Sequence, residues 1–274
     1  RIEVGEIEGV VSNHAGVENF AVLAKENDGG EKSLLAYVVP SKQKAYTVSQ
    51  ILKASKLELE YDARLYQMDN GVSMYSYNRA EVKMLYSEIF EQKTYYKHGV
   101  VIPKEACIID VGANAGAFSI FSLLTFENPK IYSFEPLAPI YRLLEKNISL
   151  YKGNVEIFNV GISNKEEEAI FDYYPYATVL SGRHSENYKV NDSVKKFTDN
   201  TQQADGKIVT DEQMDELLKE RLISKKYTCK LKTLSQVIRE NAITHINLLK
   251  IDAENAELDI INGIADEDWG KIDQ

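Results

Sequence analysis

The chain is poor in the residues that build stapled folds and metal sites. Its 274 residues hold two cysteines, Cys107 and Cys229, four histidines and a single tryptophan. Cysteines this far apart, with no C-x-x-C, suggest neither a disulfide framework nor a cysteine zinc site, and the scattered histidines form no H-E-x-x-H, so no metal is expected. Both thiols are expected as small core residues in a reducing compartment, the cytoplasm. Basic residues are in deficit: 32 Lys and Arg stand against 42 Asp and Glu, for a net charge of −10. So acidic a chain is a poor partner for nucleic acid, because phosphate contacts need clustered cations. No apolar run approaches the roughly 20 residues that cross a bilayer, which excludes a membrane span. The first residues, RIEVGEIEG, are no secretory signal and read as the middle of a longer polypeptide. Also missing is the dinucleotide fingerprint G-x-G-x-x-G, which weakens a dehydrogenase reading.

What is present centres on Cys107 to Gly116, CIIDVGANAG. Ile108, Ile109 and Val111 flank Asp110, and Gly112, Asn114 and Gly116 follow at two-residue spacing. That pattern predicts a buried strand running into a tight turn that lets backbone approach a ligand closely. Ala117 to Phe126 is apolar enough for a helix, whose N-terminal amides would point at whatever the turn holds. A second strand is expected over 130–134, and it ends at Glu135-Pro136. Glu135 lies 25 residues after Asp110, close to the roughly 20-residue offset at which an acid on the next strand reaches a ribose hydroxyl.

The order acid, hydrophobic, Gly, x, Asn, x, Gly resembles the first motif of class I S-adenosylmethionine-dependent methyltransferases. The resemblance implies an α/β, Rossmann-like, mostly parallel sheet with helices on both faces. It implies S-adenosylmethionine as cofactor, held by Asp110, Gly112, Asn114, Gly116, Phe118, Glu135 and Pro136, by Gly161 and Ser163 in the turn after a third strand at 155–160, and by Asp252. The run LLKIDAENAELDIINGI resembles the FkbM motif LLKIDVEGAEL: Leu248 to Asp252, Glu254, Ala256, Glu257 and Leu258 match, and Ala253 and Asn255 depart. The segment NRAEVKMLYSEIFEQKTYYKHG resembles what precedes the first motif in FkbM-type enzymes of peptide and polyketide synthetases, which would place Tyr95, Tyr96 and His98 near the cofactor mouth. In that comparison the family runs on beyond Gln274 into at least one more strand.

Other elements follow from periodicity. A hairpin is expected around Asp69-Asn70-Gly71, and an amphipathic helix capped by Asn78 over 78–90. The tyrosine-rich segment 169–182 is read as substrate-facing, 186–210 as a polar loop and 211–224 as a charged helix. Residues 227–233 alternate as a strand, with Cys229 and Leu231 inward.

Residues 1–40 read as a helix followed by a hairpin over Asn27 to Gly30. They resemble the start of the C-terminal subdomain of adenylation domains in non-ribosomal peptide synthetases, with Arg1, Gly5, Glu6, Ile7 and Glu8 matching its core motif and Ala36 to Pro40 the closing strand. Nothing after Pro40 resembles that subdomain's later segment with its catalytic lysine, so the unit reads as interrupted and is not expected to adenylate. The domain reading is therefore a partial adenylation subdomain at 1–40, a linker at 41–65 and an FkbM-type domain at 66–274.

Together the resemblances imply an O-methyltransferase acting on a carrier-protein-bound aminoacyl or hydroxyacyl group, with the adenylation core as a second partner. Lys225, Lys226, Lys230 and Lys232 could meet an acidic carrier, or be a solvated strand face. Base candidates are His184, then Asp252 and Glu257; acids that open a helix also serve its dipole without further function. Amine or carboxyl methylation, or an inactive spacer, are the alternatives.

Overall fold

The computed structural model describes residues 4–26, 32–41, 44–59, 61–183, 223–253 and 255–274. The chain divides into two compact units, 1–58 and 59–274. The first holds α1 (Val4–Ser12), β1 (Val17–Glu26), β2 (Lys32–Pro40) and α2 (Tyr46–Ala54). The two strands pair antiparallel from Val17 opposite Pro40 to Glu26 opposite Lys32, as the hairpin reading predicts; the turn residues 27–31 lie outside the described set. In this unit Val22 and Ala54 are buried, while Leu23, Tyr37, Val38 and Val39 are exposed.

The second unit opens with a hairpin of β3 (Arg64–Gln67) and β4 (Ser73–Ser76), turned at Gly71 in the left-handed region (φ +84°). The helix α3 (Arg79–Tyr86) follows, its N-terminus capped by the Asn78 side chain, which accepts the Ala80 amide at 2.9 Å. The sequence predicts an α-helix to residue 90, but after Tyr86 the chain widens into a π turn over Ser87–Glu91, closed by Gln92 N donating to Ser87 O at 2.9 Å. Such widenings re-aim side chains and recur at functional sites.

Then comes the central layer: β5 (Cys107–Val111), α4 (Ala117–Thr125), β6 (Lys130–Phe134), α5 (Ala138–Ile148) and β7 (Asn154–Phe158). Strands β5 and β6 are buried from their second residue on, and mostly apolar, because helices cover both faces, as is usual in parallel sheets. Beyond β7 the βα alternation gives way to a three-stranded sheet. Its strands are β8 (Gly161–Ile162), β9 (Glu167–Tyr173) and β10 (Lys225–Lys232), in the order β8-β10-β9, with β9 antiparallel to β10. The expected turn at Gly161 to Ser163 is thus a strand, because β10, some 70 residues later in the chain, supplies a ladder to it. Cys229 and Leu231 are buried as the alternation predicts. On the same strand Lys226 pairs with Asp172 and Lys232 with Glu240, and Lys225 lies over the Tyr61 ring.

The chain closes with α6 (Leu234–Glu240), β11 (Leu248–Ile251), α7 (Glu257–Asn262) and α8 (Asp266–Trp269). The parallel sheet runs β11-β5-β6-β7, and backbone of Lys271 to Gln274 pairs along the outer side of β11. One face packs Ile109, Val111, Tyr132 and Phe134 against Val237, Ile238 and Ile260 of α6 and α7. On the other, Ser119 of α4 donates to Asp110 Oδ2 at 2.7 Å and meets Ser133 at 2.8 Å. Because β6 lies on one side of β5 and β11 on the other, strand order reverses between β5 and β11. At such a switch point the loops leaving the strand ends part and leave a crevice. No helix of the described residues is long and apolar enough to cross a membrane. The segment expected at 186–210, and 211–222 of the helix expected over 211–224, lie outside the described residues; Ile223 and Ser224 are not helical.

Candidate active site

Lys250 pairs in register with Asp110, and Ile251 with Val111, so the two strands deliver Gly112 and Asp252 side by side. Gly112 has φ +74°, and a Cβ there would collide with the backbone carbonyl of Asp252. Only glycine fits. Asn114 is also left-handed (φ +48°) and secures itself through its side chain, whose Oδ1 accepts the Ala115 amide at 2.6 Å. Gly116 (φ +91°) opens α4, where a Cβ would stand 2.7 Å from Leu144 Cδ1.

Glu135 follows β6 and is 5% exposed. Its Oε1 accepts the Leu137 amide at 3.0 Å and its Oε2 the Asn114 amide at 3.1 Å. Each oxygen keeps a lone pair for a further donor. Burial pushes the carboxyl up to about 7, with the two amides and the Lys250 ammonium opposing the rise.

Lys250 rises from the middle of β11 with its side chain 5% exposed. Its Nζ stands 3.0 Å from Asp110 Oδ1, donates to the Gly112 carbonyl at 2.9 Å, and lies 3.7 Å from Asp252 Oδ2. Asp252, half exposed, accepts the Tyr95 hydroxyl at 2.5 Å. Burial, then the neighbouring carboxylates, raise the Tyr95 phenol well above its ordinary value, so it remains the donor of that bond. The Phe118 ring lies between Tyr95, edge-on at 5.3 Å, and Tyr96, stacked at 5.8 Å.

These groups border a cleft of about 230 Å³. Of the residues expected to bind cofactor, Gly112, Asn114, Phe118, Glu135, Pro136 and Asp252 line it. Asp110 lies beneath the turn, fully buried and occupied by Ser119 and Lys250, and Gly116 packs on α5. Gly161 and Ser163 stand in the second sheet, where a Cβ on Gly161 would meet Leu231 and Pro136, and Ser163 donates to the Lys232 carbonyl. Glu257 is on the first turn of α7 and is not among the lining residues, and neither is His98; His184 and Glu254 lie outside the described residues. The segment expected to face substrate divides: Phe171, Thr178, Val179, Ser181 and Gly182 line the cleft together with the adjoining Arg183, whereas Tyr173 and Tyr174 are core. Sequence reasoning gave no role to Lys250 or Glu88, both of which line it. A lysine inside the apolar run LLKI was the available signal, because a buried ammonium requires a partner.

Residues 110–274 match the methyltransferase FkbM domain family. The chain belongs to the FkbM methyltransferase family. The 31-O-demethyl-FK506 methyltransferase FkbM of Streptomyces tacrolimicus is 30% identical over 209 residues, covering 76% of this chain and 78% of that one. The AMB antimetabolite synthetase AmbE of Pseudomonas aeruginosa is 33% identical over 280 residues, all of this chain but only 12% of AmbE. A dimodular nonribosomal peptide synthase of Bacillus subtilis is 46% identical over 43 residues, 16% of this chain and 2% of the synthase.

Membership implies S-adenosylmethionine as the methyl donor, and the FkbM domain's own geometry fits that group. The Gly112 turn offers bare backbone at the strand end. Glu135 keeps acceptor capacity toward the cleft, as a sugar diol requires. Phe118 adds an apolar ring, and the Asp252 and Glu88 carboxylates at the mouth favour a cation. Among the described residues no group of three His, Cys, Asp or Glu is placed to hold a metal ion.

Proposed function

We propose that the domain is an S-adenosylmethionine-dependent O-methyltransferase of a non-ribosomal peptide synthetase, acting on a hydroxyl of an aminoacyl or hydroxyacyl group held on a carrier-domain phosphopantetheine arm. The observation that carries this reading is the glycine turn and Glu135 facing one open cleft at the sheet's switch point, with Asp252 at its rim. The relative named for 31-O methylation supports a hydroxyl acceptor, and the matches to two synthetases support the assembly-line setting. Residues 1–40 are then part of an adenylation subdomain interrupted by the methyltransferase.

When bound, the donor presents a methyl group on a cationic sulfur that leaves as a neutral thioether. The protein's part is alignment, with reacting atoms about 3 to 3.5 Å apart, and a destination for the hydroxyl proton. Gly112, Asn114 and Glu135 would hold the donor, with Glu135 accepting from its hydroxyls. Asp252 takes the acceptor's proton: of the Asp252 and Glu88 carboxylates at the cleft mouth it is the more exposed, and Tyr95 and Lys250 fix its orientation.

Calorimetric titration with S-adenosylmethionine tests donor binding; Gly112→Val and Glu135→Ala should abolish the heat. Mass spectrometry of serine-loaded and alanine-loaded carrier then tests the acceptor. A methyl on serine alone supports oxygen; a methyl on both overturns the hydroxyl assignment in favour of nitrogen.

A further inference from the structure

Behind the wall made by Thr178 and Val179 lies a carboxyl group that methyl transfer does not use. Glu81, on α3, is 3% exposed; its Oε1 lies 2.5 Å from Thr178 Oγ1 and accepts the Val179 amide at 2.8 Å. Its Oε2 is buried with no hydrogen-bond partner among the described residues. Thr178 is equally buried, and its hydroxyl also meets Asn114 Oδ1 at 3.1 Å. Asn114 is the left-handed turn residue whose own amide donates to Glu135. Three oxygens therefore stand in a row: Glu81 Oε1, Thr178 Oγ1, Asn114 Oδ1. The last is fixed as an acceptor, since it already takes the Ala115 amide. Two oxygen–oxygen contacts need two hydrogens, and threonine owns one. A proton on Glu81 Oε1 would supply the second. Full burial favours the same state: desolvation raises this carboxyl above its ordinary value against the pull of its hydrogen bonds.

We propose that Glu81 is a positioning residue of the donor site: it donates its acid proton to Thr178, whose hydroxyl donates on to Asn114, and this chain of hydrogen bonds sets the turn that receives the donor. The inference rests on the reading of the cleft as the S-adenosylmethionine site. It joins three pieces far apart in sequence: the helix before the nucleotide fold, the segment after β9 and the glycine turn. A loosened Thr178 would leave the Asn114 side chain held by the Ala115 amide alone, and with it weaken the support of the amide that faces Glu135.

The test is calorimetric titration of the full chain with S-adenosylhomocysteine. Thr178→Val and Glu81→Ala should each weaken binding about tenfold, the effect of leaving one buried acceptor unpaired, while Thr178→Ser stays within about threefold. The double variant should bind no worse than the weaker single one, because both cut the same chain. Should Glu81→Ala fail to fold, the two Thr178 variants decide alone. Unchanged affinity in Thr178→Val, or equal loss in Thr178→Ser, overturns the proposal. Infrared difference spectra at neutral pH should show a protonated-carboxyl band that Glu81→Gln removes; no such band refutes the acid proton. No binding by the unaltered chain would instead overturn the cofactor reading itself, and is seen before any substitution is made.

Discussion

Lys250 and Asp110 illustrate how single residues under the cleft hold its shape. Both side chains are almost fully withdrawn from water, and the ammonium also ties down the Gly112 carbonyl. Removing one partner of a buried pair strands the other charge, so Lys250→Met should cost about 3 to 5 kcal/mol in urea denaturation. At the rim, Glu135 sets a pH dependence. Its carboxyl is raised from its ordinary range to about 7, and donor hydroxyls bind the ionised form better. Affinity for S-adenosylmethionine should therefore rise with pH and level off above about 7. For the ligand-free fold the sign is opposite: a raised carboxyl contributes stability that is complete below its unfolded value of 4.5 and lost as pH climbs toward 7. Calorimetry in parallel with thermal melts between these limits checks both slopes. Glu135→Gln should flatten the affinity profile and weaken binding by roughly ten- to a hundredfold.

At the level of elements, α5 ties the hairpin to the nucleotide fold. Its Asn147, fully buried, accepts the Tyr75 amide at 2.6 Å and donates to the Tyr75 and Ala115 carbonyls at 3.0 and 2.8 Å. One side chain thus docks β4 and steadies the loop that enters α4. Asn147→Leu would leave these backbone groups unpaired at about 1 to 3 kcal/mol each, and hydrogen exchange at Tyr75 should accelerate in step with the lost stability. The helix α6 carries a reciprocal cap, Thr233 accepting the Gln236 amide while Gln236 accepts the Thr233 amide. Thr233→Ala should lower the denaturation free energy by about 1 kcal/mol. The elements legible in the sequence are those whose signals are local: α3 with its Asn78 cap, the Gly71 hairpin, and the apolar strands β5, β6 and β11. The short β8 was not legible, because what makes it a strand is pairing with Leu231 and Lys232.

For the molecule as a whole, every residue lining the cleft belongs to the unit spanning 59–274. A fragment of those residues should bind S-adenosylmethionine within about threefold of the full chain, a difference under 1 kcal/mol, as titration of the two in parallel would reveal. The first unit has a thin core, with Tyr37 and Val39 more than half exposed, and a segment this small is marginal alone.

The sequence by itself determined the strand, turn and helix around Gly112, the acid one strand along and the family, because glycine conformations and apolar periodicity are written in consecutive residues. Tertiary structure alone decided which acids face the cleft. Asp110 and Glu135 look alike in sequence, each closing an apolar run, yet the first is buried against Ser119 and Lys250 while the second turns to the cleft. Pairing across β5 and β11, and contacts from Glu81 to Thr178 to Asn114, join residues tens of positions apart. Their charges and hydrogen-bond partners exist only once the sheet has formed.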